Sequence, residues 1–148
     1  WLAPYGGDGP EETGYSALMA SADTLLMGRN TYDIVSAFPE WPYGDKPLVV
    51  LTHRPADPRP RVSFRQGALA QVLGELWQEG ARHIYLDGGE VVRQGLQAGL
   101  VDELILFWVP VTLGRGVSLF AGALPGRLVP VSSTVLPSGL VRVVYHPA

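Results

Sequence analysis

The sequence predicts one α/β domain with a mixed, mostly parallel central sheet and a C-terminal antiparallel hairpin. Short apolar runs alternate with segments of helical periodicity, which is the pattern of β-α-β units. Two of these runs end in a glycine turn that opens a helix, and the last two are separated only by Pro-Ser-Gly. The length of 148 residues suits a single domain with one core.

Each predicted element follows from a local pattern. Residues 1–13 are rich in glycine, proline and acid and predict a loop. Apolar residues at helical spacing predict helices at residues 14–22, 30–38, 68–79 and 90–98. Apolar or β-rich runs predict strands at residues 24–27, 48–51, 62–64, 84–86, 104–109, 129–136 and 140–145. The run at 104–109 is apolar on both faces, which predicts the centre of the sheet, and Trp77 is expected on the buried stripe of its helix.

Composition argues against several classes of function. The net charge of −3 favours neither nucleic acid nor an anionic membrane as a partner. The absence of cysteine excludes disulfides and thiol catalysis and fits a cytoplasmic protein. No apolar stretch is long enough to span a bilayer, and no signal peptide is visible. The histidines lack metal-ligand spacing and no GxSxG motif occurs, so neither a metal site nor a serine triad is predicted.

Two polar segments follow predicted strands and suit phosphate groups. The first turn contains Gly28, Arg29, Asn30 and Thr31, which offer a guanidinium, a hydroxyl and free N–H groups at a helix start. A helix cap with one exposed arginine is the alternative.

The second segment contains Thr52, His53 and Arg54 at the carboxyl end of the next strand, where open α/β sheets bind ligands. Its two basic side chains suit an adenosine 2′-phosphate and favour NADPH over NADH. A solvated basic loop is the alternative.

The second glycine turn contains Asp87, Gly88, Gly89 and Glu90, with Val91 and Val92 in the helix behind it. Adjacent glycines let the backbone approach a pyrophosphate closely, although a tight turn alone also uses such a pair. The full GxGxxG pattern is absent, so a standard Rossmann site is not predicted. Two phosphate-type turns in one small domain together predict a dinucleotide ligand.

Three runs occur in a recognisable order over most of the chain: DTLLMGRNTYD, KPLVVLTHRP and IYLDGGEVVRQGLQAGLVDELILFWVPVTLGRGVSLF. They resemble the bacterial dihydrofolate-reductase-like family, which includes the reductase domain of riboflavin biosynthesis, the RibD C-terminal domain. The resemblance implies a three-layer α-β-α dihydrofolate-reductase-like fold, NADPH as cofactor, and a homodimer that pairs through the C-terminal part of the sheet.

The resemblance also assigns roles by position. It places cofactor phosphates at the Gly28 turn, the 2′-phosphate at the segment after the next strand, and the pyrophosphate at Gly88 and Gly89. Glu90 replaces the third glycine of the family. A substrate-side loop is implied at residues 113–120, beginning with Leu113, Gly114, Arg115 and Gly116.

One departure from the family concerns its first strand. Relatives begin with a strand that carries a Ser-Leu-Asp-Gly-like stretch, lies at the centre of the sheet and lines the nicotinamide pocket. That strand is missing ahead of Trp1 in this sequence. The departure predicts either that the sequence is part of a longer chain or that the chain does not complete its own site.

The function that the resemblance implies is NADPH-dependent hydride transfer to a small polar heterocyclic or carbonyl substrate. Such a reaction needs a proton donor, for which Glu11 and Glu12 are the nearest carboxylates, because residues 15–22 contain no acid. One alternative is reduction of 5-amino-6-(5-phosphoribosylamino)uracil in the riboflavin pathway, for which the substrate-side loop offers only Arg115 to bind a sugar phosphate. A non-catalytic nucleotide-binding domain of the same fold is the other alternative.

Overall fold

Helices and strands alternate through the first two thirds of the chain, in a computed structural model that describes residues 1–54, 56–121 and 126–148. The helices are α1 (Pro10–Thr13), α2 (Tyr15–Ser21), α3 (Arg29–Ser36), α4 (Leu69–Gln78) and α5 (Gly89–Gln97). The strands are β1 (Thr24–Gly28), β2 (Leu48–Leu51), β3 (Val62–Arg65), β4 (Ile84–Asp87), β5 (Leu104–Trp108), β6 (Leu128–Val135) and β7 (Val141–Pro147).

The strands form two sheets. Sheet A contains four parallel strands in the order β3-β2-β1-β4, and sheet B contains three antiparallel strands in the order β5-β7-β6. Within the described residues, β4 pairs only with β1 and β5 pairs only with β7. The departure from the family at its first strand stays a prediction.

Helices cover both faces of sheet A because its strands are apolar on both sides. On one face, Leu25 and Met27 of β1 pack with Tyr32 of α3. On the other face, Leu26 packs with Val72 of α4 and with α5. This alternation gives the α-β-α layering that the family resemblance implies.

The predicted fold class is confirmed. All four predicted helices and all seven predicted strands are present, with bounds that agree to within two residues, and β6 and β7 form the expected antiparallel hairpin. The loop predicted for residues 1–13 is wrong in part, because residues Ala3–Tyr5 form a 3-10 helix and residues Pro10–Thr13 form α1. Both begin at or beside a proline, whose fixed φ suits a first helical turn. The sequence of residues 53–61 is rich in proline and indicates a loop, of which residue 55 lies outside the described residues.

Two predictions about burial are wrong. β5 is an edge strand of sheet B, and its Phe107 and Trp108 are exposed, because an apolar run identifies a strand without saying what covers it. The Trp77 side chain is 57% exposed, at the border of the apolar stripe of α4. The guanidinium of Arg82 lies 4.2 Å from the centre of the Trp77 ring, so a cation and not the core packs on this side chain.

Asp23 connects the amino ends of β1 and β4. Its carboxylate accepts hydrogen bonds from the backbone N–H groups of Arg82 at 2.7 Å and His83 at 3.0 Å. Desolvation raises the pKa of this carboxyl, but the two N–H donors, aided by Thr24, outweigh it and hold the pKa below its ordinary value. The charged form of Asp23 therefore stabilises the fold.

Candidate functional site

The carboxyl ends of β1, β2 and β4 lie side by side at one edge of sheet A. Gly28 at the end of β1 is opposite Leu51 of β2, and Met27 is opposite Asp87 of β4. Ligand sites on open α/β sheets form at this edge. We call the predicted residues that the structure collects there the carboxyl-edge site: Gly28, Arg29, Asn30, Thr31, Thr52, His53, Arg54, Asp87, Gly88, Gly89, Glu90, Val91 and Val92.

The β1–α3 turn presents Arg29 at the start of a helix. Its Nε donates to Asp33 Oδ1 at 2.6 Å, and its Nη1 donates to the carbonyl of Arg54 at 3.2 Å. Gly28 caps α3 without a side-chain hydrogen bond. The cap residue therefore offers no side-chain acceptor to the N–H groups of the first turn. These N–H groups lie at the positive end of the helix dipole.

The loop after β2 presents Arg54 to the same turn. Thr52 is buried, and its Oγ1 accepts a hydrogen bond from the Arg54 backbone N–H at 3.0 Å. This bond fixes the turn, so that Arg54 Nη2 donates to Asn30 Oδ1 at 3.2 Å and to Asp33 Oδ2 at 3.3 Å. The neighbouring His53 is exposed. The first two predicted segments thus make direct side-chain contact.

The second glycine turn packs directly against the first. Gly88 has φ +92°, which favours glycine, and a Cβ at this position would collide with the hydroxyl of Thr31. A Cβ on Gly28 would lie 3.5 Å from Val91 Cγ2. The requirement for glycine at position 88 is therefore both conformational and steric.

The residues behind this turn have different roles. The Val91 side chain lies in the core, so only its backbone faces the carboxyl edge. Val92 lies in the first turn of α5 and donates its backbone N–H to the Gly88 carbonyl at 3.0 Å. The Glu90 carboxylate is exposed, pairs with Arg93 at 3.1 Å and accepts from Gln94 at 2.9 Å. These partners along α5 hold its charge on the helix surface.

Asp87 has a phenol partner that the sequence did not reveal. The Tyr43 hydroxyl donates to Asp87 Oδ2 at 3.2 Å. Burial, and then the Asp87 carboxylate, raise the pKa of Tyr43, Tyr85 and Tyr15. These hydroxyls therefore stay protonated at neutral pH. Tyr43 lies in an irregular loop without periodicity, so no local signal could place it beside β4.

The weak proton-donor candidates, Glu11 and Glu12, lie on α1. They line a cavity of about 490 Å³ together with α2, His83, Glu103 and Arg142. Among the described residues that line this cavity, none belongs to the carboxyl-edge site. The structure thus places the two carboxylates in a separate depression, together with His83, which precedes β4 at the amino end of sheet A.

The predicted substrate-side loop approaches the second glycine turn. Leu113, Gly114, Arg115 and Gly116 are exposed. A Cβ on Gly89 would lie 3.9 Å from Leu119 Cδ1, which places the end of this loop beside the glycine turn. Residues 122–125, which follow it, lie outside the described residues.

The carboxyl-edge site fits a phosphorylated nucleotide. The N-cap residues of α3 and α5 are Gly28 and Gly88, which make no side-chain cap, so the N–H groups of two helix starts are directed to one region. Two guanidinium groups lie beside them, and a Cβ on Gly89 would have its nearest neighbour, Leu119 Cδ1, at 3.9 Å, so the backbone is open to close approach there. In the described parts of the chain, no cluster of three metal-ligating side chains occurs. No helix there is long and apolar enough to cross a bilayer.

Comparison with known proteins decides the family. The model of the RibD C-terminal domain matches residues 9–142. This chain belongs to the RibD C-terminal domain family. The resemblance seen in the sequence is therefore confirmed, and the fold is dihydrofolate-reductase-like.

Three relatives illustrate the range of similarity within this RibD-type family. The uncharacterized protein YwjB of Bacillus subtilis (strain 168) is 34% identical over 123 residues, which cover 81% of this chain and 70% of YwjB. A crystal structure of a protein assigned to riboflavin biosynthesis from Shewanella sp. PV-4 is 35% identical, with a TM-score of 0.83, and the match covers 92% of this chain and 80% of that one. The riboflavin biosynthesis protein RibD of Corynebacterium ammoniagenes is 37% identical over 70 residues, 46% of this chain and 21% of that protein.

Proposed function

We propose that this chain is an NADPH-dependent reductase that transfers a hydride to a small polar heterocyclic or carbonyl compound in the cytoplasm. The observation that carries the proposal is the convergence at the carboxyl-edge site. Arg54 contacts Asn30 between the ends of β2 and β1, and Gly88 packs on Thr31 between the ends of β4 and β1. Three segments that are distant in sequence thus supply cationic and N–H donors to one place. Membership in the RibD C-terminal domain family supports a reductase.

Each segment has a distinct role in binding. Arg29 and the first turn of α3 bind the cofactor phosphates, and Gly88 and Gly89 admit the pyrophosphate close to the backbone. Thr52 orients Arg54 toward the 2′-phosphate. NADPH, when bound, supplies the hydride, and the protein supplies orientation and electrostatics.

The proton donor is proposed from the cavity beside α1. Glu11 and Glu12 line it together with Arg142. Replacing each glutamate by glutamine in turn tests the role. A proton donor would lower kcat and change its pH profile, and unchanged profiles in both variants would remove these residues from the chemistry.

A second candidate activity is reduction of a ribosylamino-pyrimidine of the riboflavin pathway. The Shewanella relative, assigned to riboflavin biosynthesis, is similar over 92% of this chain and favours this candidate. The loop that begins at Leu113 lies beside the second glycine turn through Leu119. Arg115 is the basic residue nearest to Leu119 in the sequence. A substrate screen that includes 5-amino-6-(5-phosphoribosylamino)uracil separates this activity from reduction of other carbonyl compounds.

Titration with NADPH and with NADH, followed by energy transfer from tryptophan to the nicotinamide, tests the cofactor. We expect micromolar binding of NADPH and clearly weaker binding of NADH. Binding of neither would contradict the proposal. Binding without turnover of any compound in the screen would instead support a non-catalytic nucleotide-binding domain. The phosphate-binding residues that the chain retains favour the reductase over this alternative.

We also propose that the protein is a homodimer that pairs through sheet B. Phe107 is 42% exposed and Trp108 is 58% exposed on β5, and such apolar side chains are common at subunit contacts. Sedimentation of the protein and of a Trp108→Glu variant tests this arrangement. A monomeric wild-type protein would contradict it.

A further inference from the structure

Asp33 lies between the two arginines of the carboxyl-edge site. It follows Arg29 by one helical turn on α3, and its two carboxylate oxygens accept from different partners. Oδ1 accepts from Arg29 Nε at 2.6 Å, and Oδ2 accepts from Arg54 Nη2 at 3.3 Å. An acidic side chain therefore lies among the groups that the proposed function assigns to cofactor phosphates.

The two ion pairs differ in strength. The Arg29 side chain is 21% exposed, makes the shorter contact and also donates to the Arg54 carbonyl at 3.2 Å. The Arg54 side chain is 58% exposed, and among the described residues it donates to Asn30 at 3.2 Å and to Asp33 at 3.3 Å. An exposed pair at this distance contributes little to stability. The guanidinium of Arg54 can therefore leave Asp33 while Arg29 stays in place.

We propose that Asp33 limits the selectivity of this site for 2′-phosphorylated nucleotides, because its carboxylate competes with the 2′-phosphate for Arg54. The inference rests on the proposed NADPH site. Binding of a 2′-phosphate requires Arg54 to exchange one anionic partner for another, and the Asp33 charge also repels the incoming phosphate. NADH lacks that phosphate and does not undergo the exchange. Asp33 thus reduces the difference in binding affinity between NADPH and NADH.

An anchoring role for Asp33 predicts a different outcome. If Asp33 served only to hold Arg29 against the phosphates, removal of its charge would weaken every nucleotide alike. The variant Asp33→Asn separates the two roles, because an amide oxygen still accepts from Arg29 Nε while the negative charge is lost.

Calorimetric titration with adenosine 2′,5′-bisphosphate and with adenosine 5′-monophosphate tests the inference, because these probes differ by the 2′-phosphate. For Asp33→Asn we expect about three- to fivefold tighter binding of the bisphosphate, the scale of one exposed ion pair, and a clearly smaller gain for the monophosphate, which offers no 2′-phosphate to Arg54. Equal changes for both probes, or weaker binding of the bisphosphate, would overturn the inference.

Two further variants serve as controls. Glu79→Gln makes the same change in net charge and releases Arg65, with which Glu79 pairs at 2.7 Å outside the carboxyl-edge site, so it should leave both affinities unchanged. In an Arg54→Ala background, Asp33→Asn should lose most of its preference for the 2′-phosphate, and persistence of the full effect would overturn the assignment to Arg54.

The experiment distinguishes the two proposals. If the wild-type protein bound neither probe nor NADPH, the proposed function would fail and the role of Asp33 with it. If the wild-type protein bound NADPH and the bisphosphate but Asp33→Asn left the ratios of their affinities to those of NADH and the monophosphate unchanged, only the role of Asp33 would fail.

Discussion

Sheet A and sheet B are built from strands of similar apolar character, but only sheet A is enclosed. Both buried core clusters pack on sheet A, whereas sheet B exposes Phe107 and Trp108 on β5 and Val135 on β6. The difference lies in the connections. The helices α3 and α4, which cross over between parallel strands, cover opposite faces of sheet A together with α5, whereas the β6–β7 hairpin needs no crossover. The same connections bring three polar loops to the carboxyl edge of sheet A.

The largest expected effect comes from the core of sheet A. Leu26 of β1 is fully buried against α4, so Leu26→Ala should lower the free energy of unfolding by about 3 kcal/mol. Trp108→Ala on sheet B should change it by less than about 0.5 kcal/mol at low protein concentration. Chemical denaturation of both variants measures the contrast. A similar loss for Trp108→Ala would show that a partner covers β5 in solution.

The next effect concerns the function of the carboxyl edge. Arg29→Ala should weaken NADPH binding by about 1.5–3 kcal/mol, the scale of a hydrogen bond to a charged group. Fluorescence titration measures the loss. Arg82→Ala is the matched control, because Arg82 covers Trp77 next to the opposite, amino end of β4. Unchanged affinity in Arg29→Ala would remove this arginine from the phosphate site.

A smaller effect is expected from the loop after β2. The double substitution of His53 and Arg54 by alanine should lower the ratio of NADPH to NADH affinity about tenfold, or about 1.4 kcal/mol. Parallel titrations with the two cofactors measure the ratio. An equal loss for NADH would mean that these residues do not bind the 2′-phosphate.

The smallest effect is expected at the amino edge of sheet A. Asp23 has a lowered pKa in the folded protein, so its stabilisation is present above the ordinary pKa of an aspartate and is lost as the pH falls through the folded value. Asp23→Ala should cost about 1 kcal/mol at neutral pH, because Asp23 is exposed and screened. Denaturation at neutral pH and near pH 3 should show this gap narrowing on acidification. A gap that does not vary with pH would assign the stabilisation to packing.

The sequence predicted the elements of sheet A well, because runs such as residues 48–51 and the glycine turns carry their signal locally. It also selected Arg29, Arg54 and Gly88, which the structure brings to one edge. It missed Tyr43, whose partner Asp87 is far away in the chain, and Asp33, whose role appears only when Arg54 lies next to it. Local sequence patterns do not predict which loops are in contact in the folded chain.

The sequence by itself determined the α/β fold class, the family and the residues with phosphate chemistry, because periodicity, glycine turns and motif order are properties of neighbouring residues. Only the tertiary structure decided the division into two sheets, the exposure of Trp108 and Trp77, and the contact of Arg54 with Asn30 and Asp33. These features depend on packing between distant segments. Burial is set by what covers a surface, and an ion pair forms only where the fold places its two charges together.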